Sequence, residues 1–130
     1  MAASHFKLQG LVAIVDRNQL CIDGQTEAVM GVEPIEQRFA AFGWATQRID
    51  GHDFDAILGA LGKLAPAGTG QPQLIVADTI KGRGVKRMEL SLQWHVANLA
   101  GQDYDEAEAE IRAGLQPREI SEKKSGKAAR

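Results

Sequence analysis

Leu11-Val12-Ala13-Ile14-Val15-Asp16-Arg17-Asn18-Gln19-Leu20-Cys21-Ile22-Asp23-Gly24 decides how this chain is read. Its first half is a continuous apolar run that ends in a polar residue, the pattern of a strand covered on both faces. Its second half is polar and irregular. In an open α/β sheet, ligands bind beyond the carboxyl ends of the strands, where this second half would lie. The run from Leu11 to Val15 is also the longest apolar stretch in the chain and far too short to span a bilayer.

Two further strands are expected downstream, over residues 44–49 and 73–79, with helices between the three. Pro34 sits where helices like to begin, and Ile35, Phe39 and Phe42 form an apolar stripe that stops at Gly43. The turn Asp50-Gly51-His52-Asp53 offers Asp53 as a helix cap, followed by Phe54, Ile57, Leu58, Leu61 and Leu64 at helical spacing. Residues 17–34 and 66–72 read as loops. Alternation of strand and helix with buried strands predicts an α/β fold, a partial parallel sheet with flanking helices.

A last, acidic helix is expected over residues 103–115, with Ala107, Ile111 and Leu115 at four-residue spacing, and Pro117 stops it. Residues 1–115 therefore read as the folded part and 116–130 as a disordered tail. Residues 1–9 read as the end of a helix that runs straight into what looks like the most buried strand. A central strand so near the N-terminus reads either as the fraying start of a flavodoxin-like sheet or as a sign that preceding strands of the same sheet lie outside this chain.

The bulk properties narrow the function classes. At 130 residues the chain is one domain in size, 44% hydrophobic and 25% charged, with a formal net charge of -2. No basic field suits nucleic acid, and aromatic residues are too few for base-stacking platforms. Cys21, the single cysteine, cannot form an internal disulfide, and the first ten residues have no signal-peptide centre. A cytoplasmic location is expected.

Asn18 and Leu20 bring two neutral oxygens, a side-chain amide and a main-chain carbonyl, to one loop. Magnesium accepts such oxygens beside a carboxylate and phosphate. Taken alone, Asp and Asn after a strand are more often turn formers. His95 next to Trp94 is either a hydrogen-bond donor near neutral pH or a packed, capping histidine. His52 reads as a turn residue. Lys81-Gly82-Arg83-Gly84 is a phosphate cradle or simply a flexible loop.

The stretch from Ala13 to Gly24 resembles the second half of the thiamine diphosphate motif of transketolases, which begins with Gly-Asp-Gly and ends at an asparagine. The likeness continues through Phe42-Gly43-Trp44, Ile49-Asp50-Gly51-His52-Asp53, Thr79-Ile80-Lys81-Gly82-Arg83-Gly84-Val85 and Trp94-His95. Several short motifs in the right order are specific where one alone is not. The resemblance implies that Asn18 and Leu20 hold magnesium, that Asp23 and Gly24 shape the loop over the diphosphate of thiamine diphosphate, and that His95 reaches diphosphate and substrate. Val96 stands where the family has glycine, and the usual proline-containing continuation is absent.

No Gly-Asp-Gly occurs in this sequence, so the carboxylate for magnesium is expected from companion chains. These would carry that half of the motif and the pyrimidine-binding domain. The resemblance implies a subunit or fragment of a transketolase-like enzyme, active only in a multi-chain complex. That enzyme would move a two-carbon ketol unit from a ketose, commonly phosphorylated, to an aldose. Two alternatives stand beside it: another thiamine diphosphate enzyme resembling deoxyxylulose-phosphate synthase, and a non-catalytic interaction module.

Overall fold

The computed structural model describes residues 1–64 and 70–114. The expected tail, 116–130, and most of the loop at 66–72 lie outside the described residues. The chain divides into two compact units, Met1–Asn98 and a second that starts at Leu99.

In the first unit three parallel strands form the sheet: β1 (Val12–Arg17), β4 (Ala45–Asp50) and β5 (Gln73–Asp78), in the order β1-β5-β4. The strands lie within a residue or two of where the sequence reading put them. Their order differs from the expectation in one respect. β5, buried along almost its whole length, is the central strand, and β1 lies at an edge, paired on one side only among the described residues. A continuous apolar run marks a strand built for cover on both faces, but it carries no information about which neighbour supplies it.

Helix α1 (Ala2–His5) precedes β1, and the stretch expected as loop holds a two-stranded hairpin, β2 (Leu20–Cys21) with β3 (Gly24–Gln25), followed by the short α2 (Thr26–Val29). α3 (Ile35–Ala41) begins after Pro34 and ends in a glycine cap. Gly43, at φ +81, donates its N–H to the Ala40 carbonyl, and the Trp44 N–H reaches back to Phe39. α4 (Phe54–Gly62) is capped by Asp53, whose carboxylate accepts the N–H groups of Asp55 at 2.8 Å and Ala56 at 3.3 Å.

Register sorts the two faces. Leu74 and Val76 of β5 pack with Ile35 of α3, and Ala13, Val15, Val32, Phe39 and Trp44 close around them. Phe39 and Trp44 meet edge to face at 5.3 Å. On the opposite face, Gln47 pairs with Ile75 and donates to the Ala60 carbonyl of α4. Ile14 also pairs with Ile75 and so belongs to the α4 face, yet its side chain is 63% exposed. α4 packs on β4, and Ile75 of β5 is buried on this face, but β1 is left bare there, and Phe54, Leu58 and Leu61 of α4 point outward as an exposed stripe.

The second unit contains α5 (Gln102–Gly114), acidic in its first turn, as the sequence pattern indicated. Among the described residues no helix is long and apolar enough to cross a membrane.

Candidate functional site

The carboxyl ends of β1, β4 and β5 carry Arg17, Asp50 and Asp78, and the loops that follow them make the site. Directly beyond β1, the side-chain oxygen of Asn18 accepts the N–H of Leu20 at 3.1 Å, closing a tight turn. Between them Gln19 has φ +68, a left-handed conformation that costs a residue with a side chain about 1–3 kcal/mol. The strain is held from outside. The Gln19 carbonyl accepts both the N–H of Thr26 at 2.9 Å and its hydroxyl at 3.3 Å. Gly24, at φ +149, lets the β2–β3 hairpin turn back on itself.

Asn18 and Leu20 line one open groove of about 430 Å³ together with Arg17, Thr26 and the α3 residues Ile35, Arg38 and Phe39. Leu20 also lines a smaller cleft of about 120 Å³ with Leu90, so the segment after β5 folds up to the same loop. His95 lines neither. It follows a 3-10 turn at Leu92–Trp94, and Arg87 lies over the Trp94 ring at 5.5 Å. The His95 Nδ1 is buried and has no hydrogen-bond partner among the described residues. A buried polar atom left open in this way is rare and calls for a ligand or water. Val96 beside it is 85% exposed.

His52 turns out to be more than a turn residue. Its Nε2 accepts the backbone N–H of Ile80 at 2.7 Å, which places the ring proton on Nδ1. The bond ties the β4–α4 turn to the start of the segment after β5. His52, Asp50, Asp78, Thr79, Arg83 and Gln19 line a polar groove of about 420 Å³, and Thr79 bonds Asp16 across the strand ends. The glycines of Lys81-Gly82-Arg83-Gly84 serve the loop's own folding. A Cβ on Gly82, at φ +79, would sit 2.4 Å from the Met88 carbonyl oxygen. The N–H groups of Arg83, Gly84 and Val85 are taken by Ile80, Glu89 and Gly82. That leaves little of a phosphate cradle.

A charged network underlies these strand ends. Arg17, 7% exposed, donates to Glu33 at 2.7 Å, Thr26 at 2.8 Å and Glu27 at 3.0 Å. Arg48 joins Glu33, Glu36 and the end of β5, bonding Asp78 at 2.7 Å with both ends of its fork. Asp78 first, then Glu33, holds the Arg48 guanidinium even more firmly charged than usual. Glu33 is pulled from an ordinary 4.5 down to about 2, chiefly by Arg48 and then by Arg17. Because the folded value is depressed, this stabilisation is complete above pH 4.5 and is lost as the pH falls through 2. Urea titrations should therefore show Glu33→Gln less stable than wild type at pH 7, with the gap closing as the pH is lowered toward 2. A gap that stays constant over that range would mean the ion pairs do not set it.

None of this network was read from the sequence. Arg17 ends an apolar run and looks like the first loop residue, whereas its partners lie up to 16 positions away. An arginine directly after a buried strand, followed by two glutamates in the loop, was the available signal.

The chain as a whole is similar to known proteins. The chain matches the transketolase thiamine diphosphate binding domain over residues 1–124. The chain belongs to the transketolase family. It is 37% identical over 111 residues to one subunit of the apulose-4-phosphate transketolase of Phocaeicola vulgatus, covering 85% of this chain and 39% of that protein. With a 6-deoxy-6-sulfo-D-fructose transketolase subunit of a Clostridium species it shares 38% over 111 residues, covering 85% and 40%. The crystal structure of transketolase from Campylobacter jejuni superposes with a TM-score of 0.75 at 29% identity, over 85% of this chain and 17% of that one. This transketolase-family chain thus spans about two fifths of those two subunits and 17% of the Campylobacter jejuni enzyme, and the α/β fold expected for it is the family's.

The donor set fits magnesium in kind. An amide oxygen and a main-chain carbonyl are hard, neutral ligands suited to a cation that also holds phosphate. Among the described residues no three His, Cys, Asp or Glu side chains group to hold a metal. A carboxylate from outside this stretch would complete such a site.

Proposed function

We propose that this chain forms one part of the magnesium and thiamine diphosphate site of a transketolase-type enzyme. The enzyme would transfer a two-carbon ketol unit from a ketose, commonly phosphorylated, to an aldose. The observation that carries the reading is the strained Asn18–Leu20 turn at the carboxyl end of an edge strand, with both residues in one groove. When bound, thiamine diphosphate supplies the carbanion chemistry that no side chain offers.

The chain's own residues would do three things. Asn18 offers its side-chain oxygen, whose second lone pair remains after the Leu20 bond, and Leu20 offers its carbonyl to magnesium. Gly24 would keep compact the hairpin that helps to hold the diphosphate. His95 would donate a hydrogen bond to diphosphate or to the substrate oxygen, an assignment supported by its open, buried Nδ1. The Gly-Asp-Gly carboxylate, the pyrimidine-binding domain and the strands that pair with β1 would come from outside these 130 residues, and companion subunits are in keeping with relatives named as subunits.

Titration calorimetry with thiamine diphosphate tests this. The protein assembled with its companion should bind stoichiometrically and only with magnesium, and the chain by itself should bind weakly or not at all. Tight binding by the lone chain would sink the shared site. Absence of binding in the assembly would favour the non-catalytic module instead.

A further inference from the structure

The Asn18–Leu20 turn is held in a conformation its own residues do not favour, and the restraint leads back to one buried side chain. Gln19 stands at φ +68 between the two oxygens proposed for magnesium. Its carbonyl is fixed by the N–H and hydroxyl of Thr26. Thr26 in turn accepts from the Arg17 guanidinium at 2.8 Å. The other two arms of Arg17 reach Glu27 and Glu33. Glu27 also accepts the Val32 N–H, and Glu33 the Ile35 N–H at the start of α3. Arg17 thereby connects the end of β1, the loop and α3 at a single planar fork, which lysine's single ammonium cannot reproduce.

We propose that Arg17 is the positioning residue of this loop, setting the spacing of the Asn18 and Leu20 oxygens through Thr26 and Gln19 without touching cofactor or metal. The proposal rests on the reading of Asn18 and Leu20 given above. A structural residue of the core would stabilise the whole unit evenly. A positioning residue acts where its bonds end, at the Gln19 carbonyl.

Two substitutions in the assembled protein separate these cases. Thr26→Val keeps the side-chain shape and removes the hydroxyl relay, leaving Arg17 with both glutamates. Arg17→Lys keeps charge and loses the fork. Both should lower magnesium-dependent thiamine diphosphate affinity by about fivefold to tenfold, the effect of losing the one hydroxyl bond held at the Gln19 carbonyl, and raised magnesium should restore much of it. Hydrogen exchange supplies a readout independent of activity. The Leu20 and Thr26 amides should exchange about tenfold faster while the β5 amides keep their rates. Uniform acceleration that includes β5, or unchanged exchange at Leu20 with unchanged affinity, would overturn the proposal. Asn18→Ala serves as the control. If it weakens binding and Thr26→Val does not, only the positioning role fails. If Asn18→Ala also leaves affinity unchanged, the functional reading itself fails.

Discussion

Replacing Asn18 with alanine is expected to weaken magnesium-dependent thiamine diphosphate binding by about 100-fold in the assembled protein, at little cost to folding. Removing a partner that merely orients a ligand typically costs about 10–100-fold, and a direct ligand should stand at the upper end of that range. On the stability side the variant loses only the bond from the Leu20 N–H at 3.1 Å. One such bond contributes about 1 kcal/mol, which lowers the melting temperature by a few degrees in a domain of this size. The two effects therefore separate cleanly. Asn18→Asp is the companion measurement. It keeps an oxygen for both magnesium and the Leu20 amide and should retain most of the affinity. Calorimetry and thermal melts on the same preparations decide the matter: equal affinity in Asn18→Ala and wild type, with activity intact, would reduce the loop to a turn.

The second large effect concerns the bare α4 face. Ile14 on β1 and Phe54, Leu58 and Leu61 on α4 are exposed on one side of the sheet, beside a β1 edge with no pairing partner among the described residues. Fully burying one such side chain is worth about 1.5–3 kcal/mol. Association costs about 4–15 kcal/mol, so one or two of them would not hold a partner, but the full set together with strand pairing would. Exposed strand edges and apolar patches both recruit other chains. Made alone, the chain is expected to self-associate at micromolar concentration, and with its companion to enter a stable complex. Leu58→Glu should weaken either association at least about tenfold, since it would place a charge in an apolar contact. Sedimentation velocity reads both. A cooperatively folding monomer, unaffected by Leu58→Glu, would contradict the docking face and favour a self-sufficient module.

The sequence alone determined the main strands and helices and the family, though not the β2–β3 hairpin or α2. The three expected strand segments became three strands, Asp53 capped α4, and Gly43 ended α3, because each rests on residues a few positions apart whose backbone preferences act locally. Motif order from Ala13 to His95 sufficed for the transketolase family for the same reason: it is a linear property. Tertiary structure alone decided the rest. An apolar run reads the same at the centre of a sheet as at its edge, so only pairing could put β5 in the middle and leave Ile14 bare. The left-handed Gln19 has a side chain that disfavours that conformation. It is fixed by Thr26, and Thr26 by Arg17, whose reach to Glu33 spans 16 positions. His52 and Ile80, 28 positions apart, meet because two strands end side by side. Contacts between distant residues depend on which strands become neighbours, and local propensity contains no term for that.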